Sequence, residues 1–134
     1  MSEDEATAEE LTRRLGEPGL ILLDVRSAGE FTGELGYPCD ARQGHLPGAR
    51  HLDLGEILGC ASIEEVRERV GLSEGSEIVA YCHSGSRSAT AVSVLRAAGY
   101  EARNYPGSWH EWSADPSLPA ESGYVPPLTP DMSV

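Results

Sequence analysis

Residues Glu77–Gly99, EIVAYCHSGSRSATAVSVLRAAG, constrain this chain more than any other stretch. EIVAY is a short apolar run, rich in β-branched and aromatic residues and preceded by the turn-like SEGS. That pattern predicts a buried strand. A compact polar loop follows, Cys82-His83-Ser84-Gly85-Ser86-Arg87. SATAVSVLRAAG then places Ala89, Val92, Leu95 and Ala98 or Val94 at helical spacing, with Gly99 where a helix ends. A lone cysteine therefore stands at the carboxyl end of a strand, on a loop that opens a helix. Open α/β sheets put their ligand sites at that end.

The physics of such a loop is specific. Successive backbone N–H groups converge into an anion-binding nest, and the helix N-terminus adds unpaired donors and a positive dipole end. Gly85 supplies a backbone conformation other residues resist, and Arg87 a permanent cation. Cys82 is expected to have a lowered pKa and to be nucleophilic thiolate near neutrality. A buried core cysteine is the bland alternative; a position between strand and polar loop argues against it.

The chain has 134 residues, enough for one domain with a real core. No apolar run is long enough to span a membrane, and the N-terminus has no signal-peptide pattern. Three cysteines, Cys39, Cys60 and Cys82, make no disulfide framework and fit a reducing cytoplasm. The net charge of −12 argues against nucleic acid as a ligand. All ten basic residues are Arg, and the absence of Lys removes Schiff-base and Walker-A chemistry.

Residues 1–6 are acidic and expected to be flexible. The capping-box pattern Thr7-Ala8-Glu9-Glu10 predicts a helix from Ala8 to Leu15. Leu20–Val25 reads as a strand buried on both faces. Asp24 and Arg26, which close it, are read as an exposed ion pair or loop brace worth about 0–1 kcal/mol. Gly33–Gln43 is an irregular surface insertion bearing Cys39. Gly44–Ala49 is a turn, with Ala49–Leu52 a short strand after it and His45 a structural histidine. Leu54–Ala61 reads as a connection, and Ser62 opens a helix through Val70 that stops at Gly71. Tyr100–Tyr105 reads as another strand. Trp109 and Trp112 lie three apart and are expected to pack one helical face onto the domain. Residues 116–134 form a Pro-rich tail, either strapped down or disordered.

Four segments carry a family resemblance. Cys82–Ala89 resembles the Cys-x-x-Gly-x-Arg active-site loop of the rhodanese sulfurtransferases. Asp24-Val25-Arg26 with Glu30-Phe31, Gly44-His45-Leu46-Pro47-Gly48-Ala49, and Gly107-Ser108-Trp109 with Trp112 resemble three further landmarks of that family, in family order. The resemblance covers roughly Leu11 to Ala114, and a rhodanese domain is expected over residues 7–115. It implies an α/β, three-layer fold with a five-stranded, mainly parallel sheet flanked by helices.

It also implies sulfur transfer by ping-pong covalent catalysis. Cys82 would take sulfur from a small anionic donor such as thiosulfate and pass it to a thiol or cyanide acceptor. His83, Ser84, Gly85, Ser86, Arg87 and Ser88 would bind substrate and hold the persulfide, with no metal or organic cofactor. Glu30 stands where some tandem-domain relatives carry a donor-contacting Arg, and the loop lacks the form expected of mercaptopyruvate users, so thiosulfate is favoured. The alternatives are a persulfide carrier passing sulfur to a sulfur-acceptor protein, or a regulatory module docking to a partner protein. A Cdc25-type phosphatase or arsenate reductase is a further alternative, but its cysteine and arginine are separated by five residues rather than four. Cys39 could resolve the persulfide as a disulfide, although an incidental thiol is the simpler reading. Zinc is not expected, because Cys39, Cys60, His45 and His51 lack ligand-pair spacing. A Cys–His protease is not expected either, since no third residue is placed to orient His83.

Overall fold

The structure is a computed structural model describing residues 5–123. Strands β1 (Leu20–Asp24), β2 (Arg50–His51), β3 (Glu77–Tyr81) and β4 (Glu101–Asn104) form one sheet in the order β2-β1-β3-β4. Every pairing is parallel, and β1 runs beside β3 from Leu20↔Glu77 to Asp24↔Tyr81. Among the described residues six helices join and cover them: α1 (Ala8–Arg14), α2 (Ala28–Thr32), α3 (Leu54–Leu58), α4 (Ile63–Val70), α5 (Ser86–Ala97) and α6 (Ser108–Ala114).

The alternation of strand side chains divides the interior in two. Ile78, Ala80 and Cys82 face one way, into a core completed by Ile57 of α3, Val66 and Val70 of α4, and Ala91, Val92 and Leu95 of α5. Val79 and Tyr81 face the other way, onto Leu11 of α1, Phe31 of α2, and Trp109 and Trp112 of α6. Both faces of the sheet are covered, which is why LILLD and EIVAY read as nearly continuous apolar runs. The result is the expected three-layer α/β arrangement.

The sheet has four strands among the described residues rather than five. Glu5 makes only an isolated parallel bridge to Asn104, and the Ala6 N–H donates to the Asn104 carbonyl at 2.8 Å. Thr7 then caps α1 at once, its hydroxyl accepting from the Glu10 amide at 3.1 Å, so the chain turns away before a ladder extends. The supposed connection after Leu52 is also corrected. It contains α3, whose Asp53 cap accepts from the Gly55 amide. Five residues with an internal glycine carry too little periodicity to announce a helix.

The insertion at Gly33–Gln43 leads into Arg42, whose guanidinium donates to the carbonyls of Ser113 (3.2 Å), Leu118 (2.8 Å), Trp112 (3.2 Å) and Asp115 (2.9 Å). One side chain thus satisfies carbonyls that the end of α6 leaves open. In return Trp109 Nε1 donates to the Arg42 carbonyl at 2.9 Å. Beyond α6, Glu121 pairs antiparallel with His45. The tail beyond Gly123 lies outside the described residues. No helix among the described residues is long and apolar enough to cross a membrane.

Candidate active site

Cys82 follows β3 directly, and Gly85 turns the chain into α5. Gly85 adopts φ 98° and serves as the N-cap of α5 without a side chain of its own. A Cβ there would meet the Pro106 carbonyl oxygen at 2.8 Å, so glycine is required by backbone angle and by space alike. The turn folds the first amides of α5 back over the cysteine. The Cys82 Sγ accepts from the Gly85 amide at 3.1 Å, the Ser88 amide at 3.4 Å and the Ser88 hydroxyl at 3.3 Å. Burial alone would push the thiol up, but donation from the Ser88 hydroxyl and from the amides of Ser88, Gly85 and Ser84 outweighs it, and the Cys82 pKa is lowered. The residue is 1 % exposed, so these donors act with little competition from water.

The loop is held from behind by the β4–α6 turn. The Cys82 amide donates to the Ser108 hydroxyl at 3.0 Å, and that hydroxyl donates on to the Tyr105 carbonyl at 2.8 Å. The first amides of α6 complete the grip, Trp109 donating to the Cys82 carbonyl and His110 to the His83 carbonyl. Asn104 Nδ2 donates to the Gly85 carbonyl at 3.2 Å. Ser108 has φ 56°, the one positive value at a non-glycine among the described residues, and its two side-chain bonds hold that backbone in place. Trp109 and Trp112 are fully buried.

Arg87 is engaged by a carboxylate of α2. Its two terminal nitrogens donate to the two carboxylate oxygens of Glu30 at 3.0 and 3.2 Å. Glu30 is the third residue of α2, reciprocally capped with Ser27. Burial works against its charge, yet the Arg87 fork and the Ser27 amide hold its pKa down to about 2. The Arg87 charge therefore arrives at the loop already partnered.

Asp24 and Arg26 need correcting. Neither is exposed. Both lie buried at the end of β1, joined through Arg26 Nη2 to Asp24 Oδ2 at 2.7 Å, with further bonds from Arg26 Nε and its backbone amide. The guanidinium lies against the rings of Tyr81 and Trp109, at 5.8 and 5.3 Å from their centroids. The pair braces the floor beneath the site. His45 is structural as expected: it is buried, stacked on Phe31 at 3.7 Å, and its Nδ1 donates to the Phe31 carbonyl.

The insertion forms the wall that the sequence did not reveal. Tyr37 stacks on His83 with ring centroids 3.8 Å apart. His83 Nε2 and His110 Nδ1 both donate to Asp40 Oδ1, at 3.0 and 2.8 Å. A cleft of about 270 Å³ opens between this wall and α2, lined by Ser27, Glu30, Leu35, Gly36, Tyr37 and Pro38. Glu30 joins that cleft to Arg87 and the cysteine loop. All three cysteines are free thiols.

Residues 7–115 match the family model described as a rhodanese-like domain. The chain belongs to the rhodanese family. Among curated relatives, a thiosulfate sulfurtransferase of Pseudomonas aeruginosa is 35% identical over 127 residues, covering 89% of this chain and 46% of its own length. A second protein of the same organism, named a probable 3-mercaptopyruvate sulfurtransferase, is 38% identical over 125 residues, covering 87% of this chain and 44% of that one. A crystal structure described as a probable thiosulfate sulfurtransferase matches at 47% identity and a TM-score of 0.76, over 88% of this chain and 47% of the other. The chain thus spans less than half the length of the relatives it matches.

Proposed function

We propose that this rhodanese domain is a sulfurtransferase working through a persulfide on Cys82. The observation that carries the reading is the set of three donors converging on the Cys82 sulfur from Gly85 and Ser88. The thiolate attacks the outer sulfur of thiosulfate. A bond forms between Sγ and that sulfur, the S–S bond of thiosulfate breaks, and its electron pair leaves on sulfite. The Gly85 and Ser88 amides that hold the Cys82 sulfur then help to carry the negative charge of Cys82–S–S⁻. A cyanide or thiol acceptor attacks that sulfur and the Cys82 thiolate departs, closing the cycle with no external oxidant or reductant.

Two features favour this over phosphoryl or arsenate chemistry. The Gly85 amide and the amide and hydroxyl of Ser88 close on a single sulfur atom, and the Arg87 fork is occupied by Glu30 instead of standing free for a tetrahedral oxyanion. A protein thiol as acceptor is favoured by the apolar side chains at the cleft, where Leu35 and Tyr37 are 62 % and 45 % exposed. Intact-protein mass after incubation with thiosulfate tests the proposal. One added sulfur on the wild type, removed by cyanide and absent from Cys82→Ser, is the expected result. An unmodified wild type with thiosulfate, followed by turnover of an aryl phosphate, would overturn it.

A further inference from the structure

We infer that Cys39, Asp40, His83 and His110 form a binding site for a divalent transition metal of borderline softness, zinc foremost. One ligand atom from each of the four lies within 4.8 Å of all the others. Asp40 is at their centre. Its Oδ1 accepts from both imidazoles, and the Cys39 Sγ lies 4.0 Å from the same oxygen. The aspartate side chain is only 1% exposed, and its second oxygen, Oδ2, is buried with no hydrogen-bond partner. A buried carboxylate oxygen without a donor is costly, and buried charges are ordinarily paired or bound to a metal. A cation held by the Asp40 carboxylate and the two imidazole nitrogens gives that buried charge a partner; it replaces the hydrogen bonds to Oδ1, each imidazole carrying its proton on its other nitrogen and Cys39 releasing its own to solvent.

The donor set selects the metal. One thiolate, one carboxylate and two imidazoles suit zinc and its neighbours, whereas calcium and magnesium take oxygen ligands. A tetrahedral zinc ion with bonds of about 2.0–2.3 Å separates its ligand atoms by about 3.3–3.7 Å. The histidine nitrogens lie slightly nearer Asp40 than that, and the sulfur slightly farther. The adjustment falls on side chains free to make it, since Cys39 is exposed and the His110 side chain is 54% exposed. Tyr37 stacks on the His83 ring and supports it. Spacing along the chain hides the site, because His83 and His110 come 43 and 70 residues after Asp40. Folding of the insertion onto the cysteine loop and the first turn of α6 assembles it. The nucleophile is next to the site but outside it.

The test uses the 134-residue chain as metal-stripped Cys82→Ser protein, so that the reactive thiol cannot serve as a ligand and the outcome does not depend on sulfur transfer. Zinc is titrated in competition with a chromophoric chelator, and cobalt is bound as a spectroscopic probe. We expect one zinc per chain and a cobalt spectrum with thiolate-to-metal charge transfer. Cys39→Ser and His110→Ala, each added to that background, should weaken zinc binding by at least about tenfold, the scale on which even outer-shell partners matter. Cys39→Ser should also remove the charge-transfer band. Both residues are exposed, and thermal unfolding of each variant checks that the fold is kept. Failure of the parent protein to bind one zinc, or equal binding by the parent and both variants, overturns the assignment.

Discussion

The guanidinium of Arg87 and the carboxylate of Glu30 meet as a two-pronged ion pair, at 3.0 and 3.2 Å, joining the start of α5 to the start of α2. The pair is partly buried, with side-chain exposures of 33% and 12%. Its worth lies between that of a surface pair and that of a fully buried one. Glu30→Gln should cost about 1–2 kcal/mol, read as a lower urea midpoint at neutral pH. The pH dependence has a definite sign. Glu30 titrates lower in the folded chain, near 2, than its ordinary value of 4.5. Its contribution is complete above about pH 4.5 and disappears as pH falls from there toward 2. The wild type should therefore lose more stability across that window than Glu30→Gln. Parallel acid limbs would mean the pair contributes nothing.

Ser88 gives the Cys82 sulfur both a hydroxyl and an amide. Ser88→Ala removes only the hydroxyl, and the amide remains fixed by α5. The pH at which Cys82 becomes half-reactive toward iodoacetamide should move upward in the variant, while its maximal alkylation rate at high pH is retained. An unchanged midpoint would assign thiolate stabilisation to the backbone alone.

Gly85 combines a left-handed backbone with a close approach to Pro106. Gly85→Ala should lower stability by about 1–3 kcal/mol, from strain and the displaced turn together. It should also slow the proposed persulfide formation from thiosulfate at neutral pH more than at high pH, because moving the Gly85 amide off the sulfur raises the thiol pKa. Stopped-flow measurement of sulfite release at the two pH values separates this from a general loss of fold.

Asp24 and Arg26 form the buried pair on which the floor of the site rests. Asp24→Asn leaves the Arg26 charge buried against Tyr81 and Trp109. Removing one member of such a pair costs about 3–5 kcal/mol, a loss readily seen as a lower denaturant midpoint. A change below about 1 kcal/mol would mean that water reaches the guanidinium, as it does in exposed pairs.

Much of this architecture was legible from local pattern. The β3–loop–α5 unit could be read because a buried strand, a glycine turn and a helical stripe each leave a mark within a few residues, and Cys82 stands where two of them meet. Thr7, Ser62 and Gly71 announced their helix ends by the same local chemistry. The wall of the site was not legible. Nothing near Asp40 distinguishes it from a surface carboxylate; it is buried because histidines distant in the chain fold over it. The burial of Arg26 depended likewise on Tyr81 and Trp109, both remote in sequence. Ser108 looked like part of a tryptophan motif, and only its positive φ and its bond from the Cys82 amide disclose a fastener of the loop.

The four carbonyls held by Arg42 have a consequence for motion. A side chain that closes the end of α6 while its own carbonyl receives the Trp109 indole makes the insertion and that helix mutually dependent. Neither can open alone without stranding the bonds of the other, so they form one cooperative unit of local unfolding. Amide protons of α6 and of the insertion should exchange with solvent deuterium at a common opening free energy. A partner that grips the exposed edge of the insertion would thereby slow exchange in a helix it never touches.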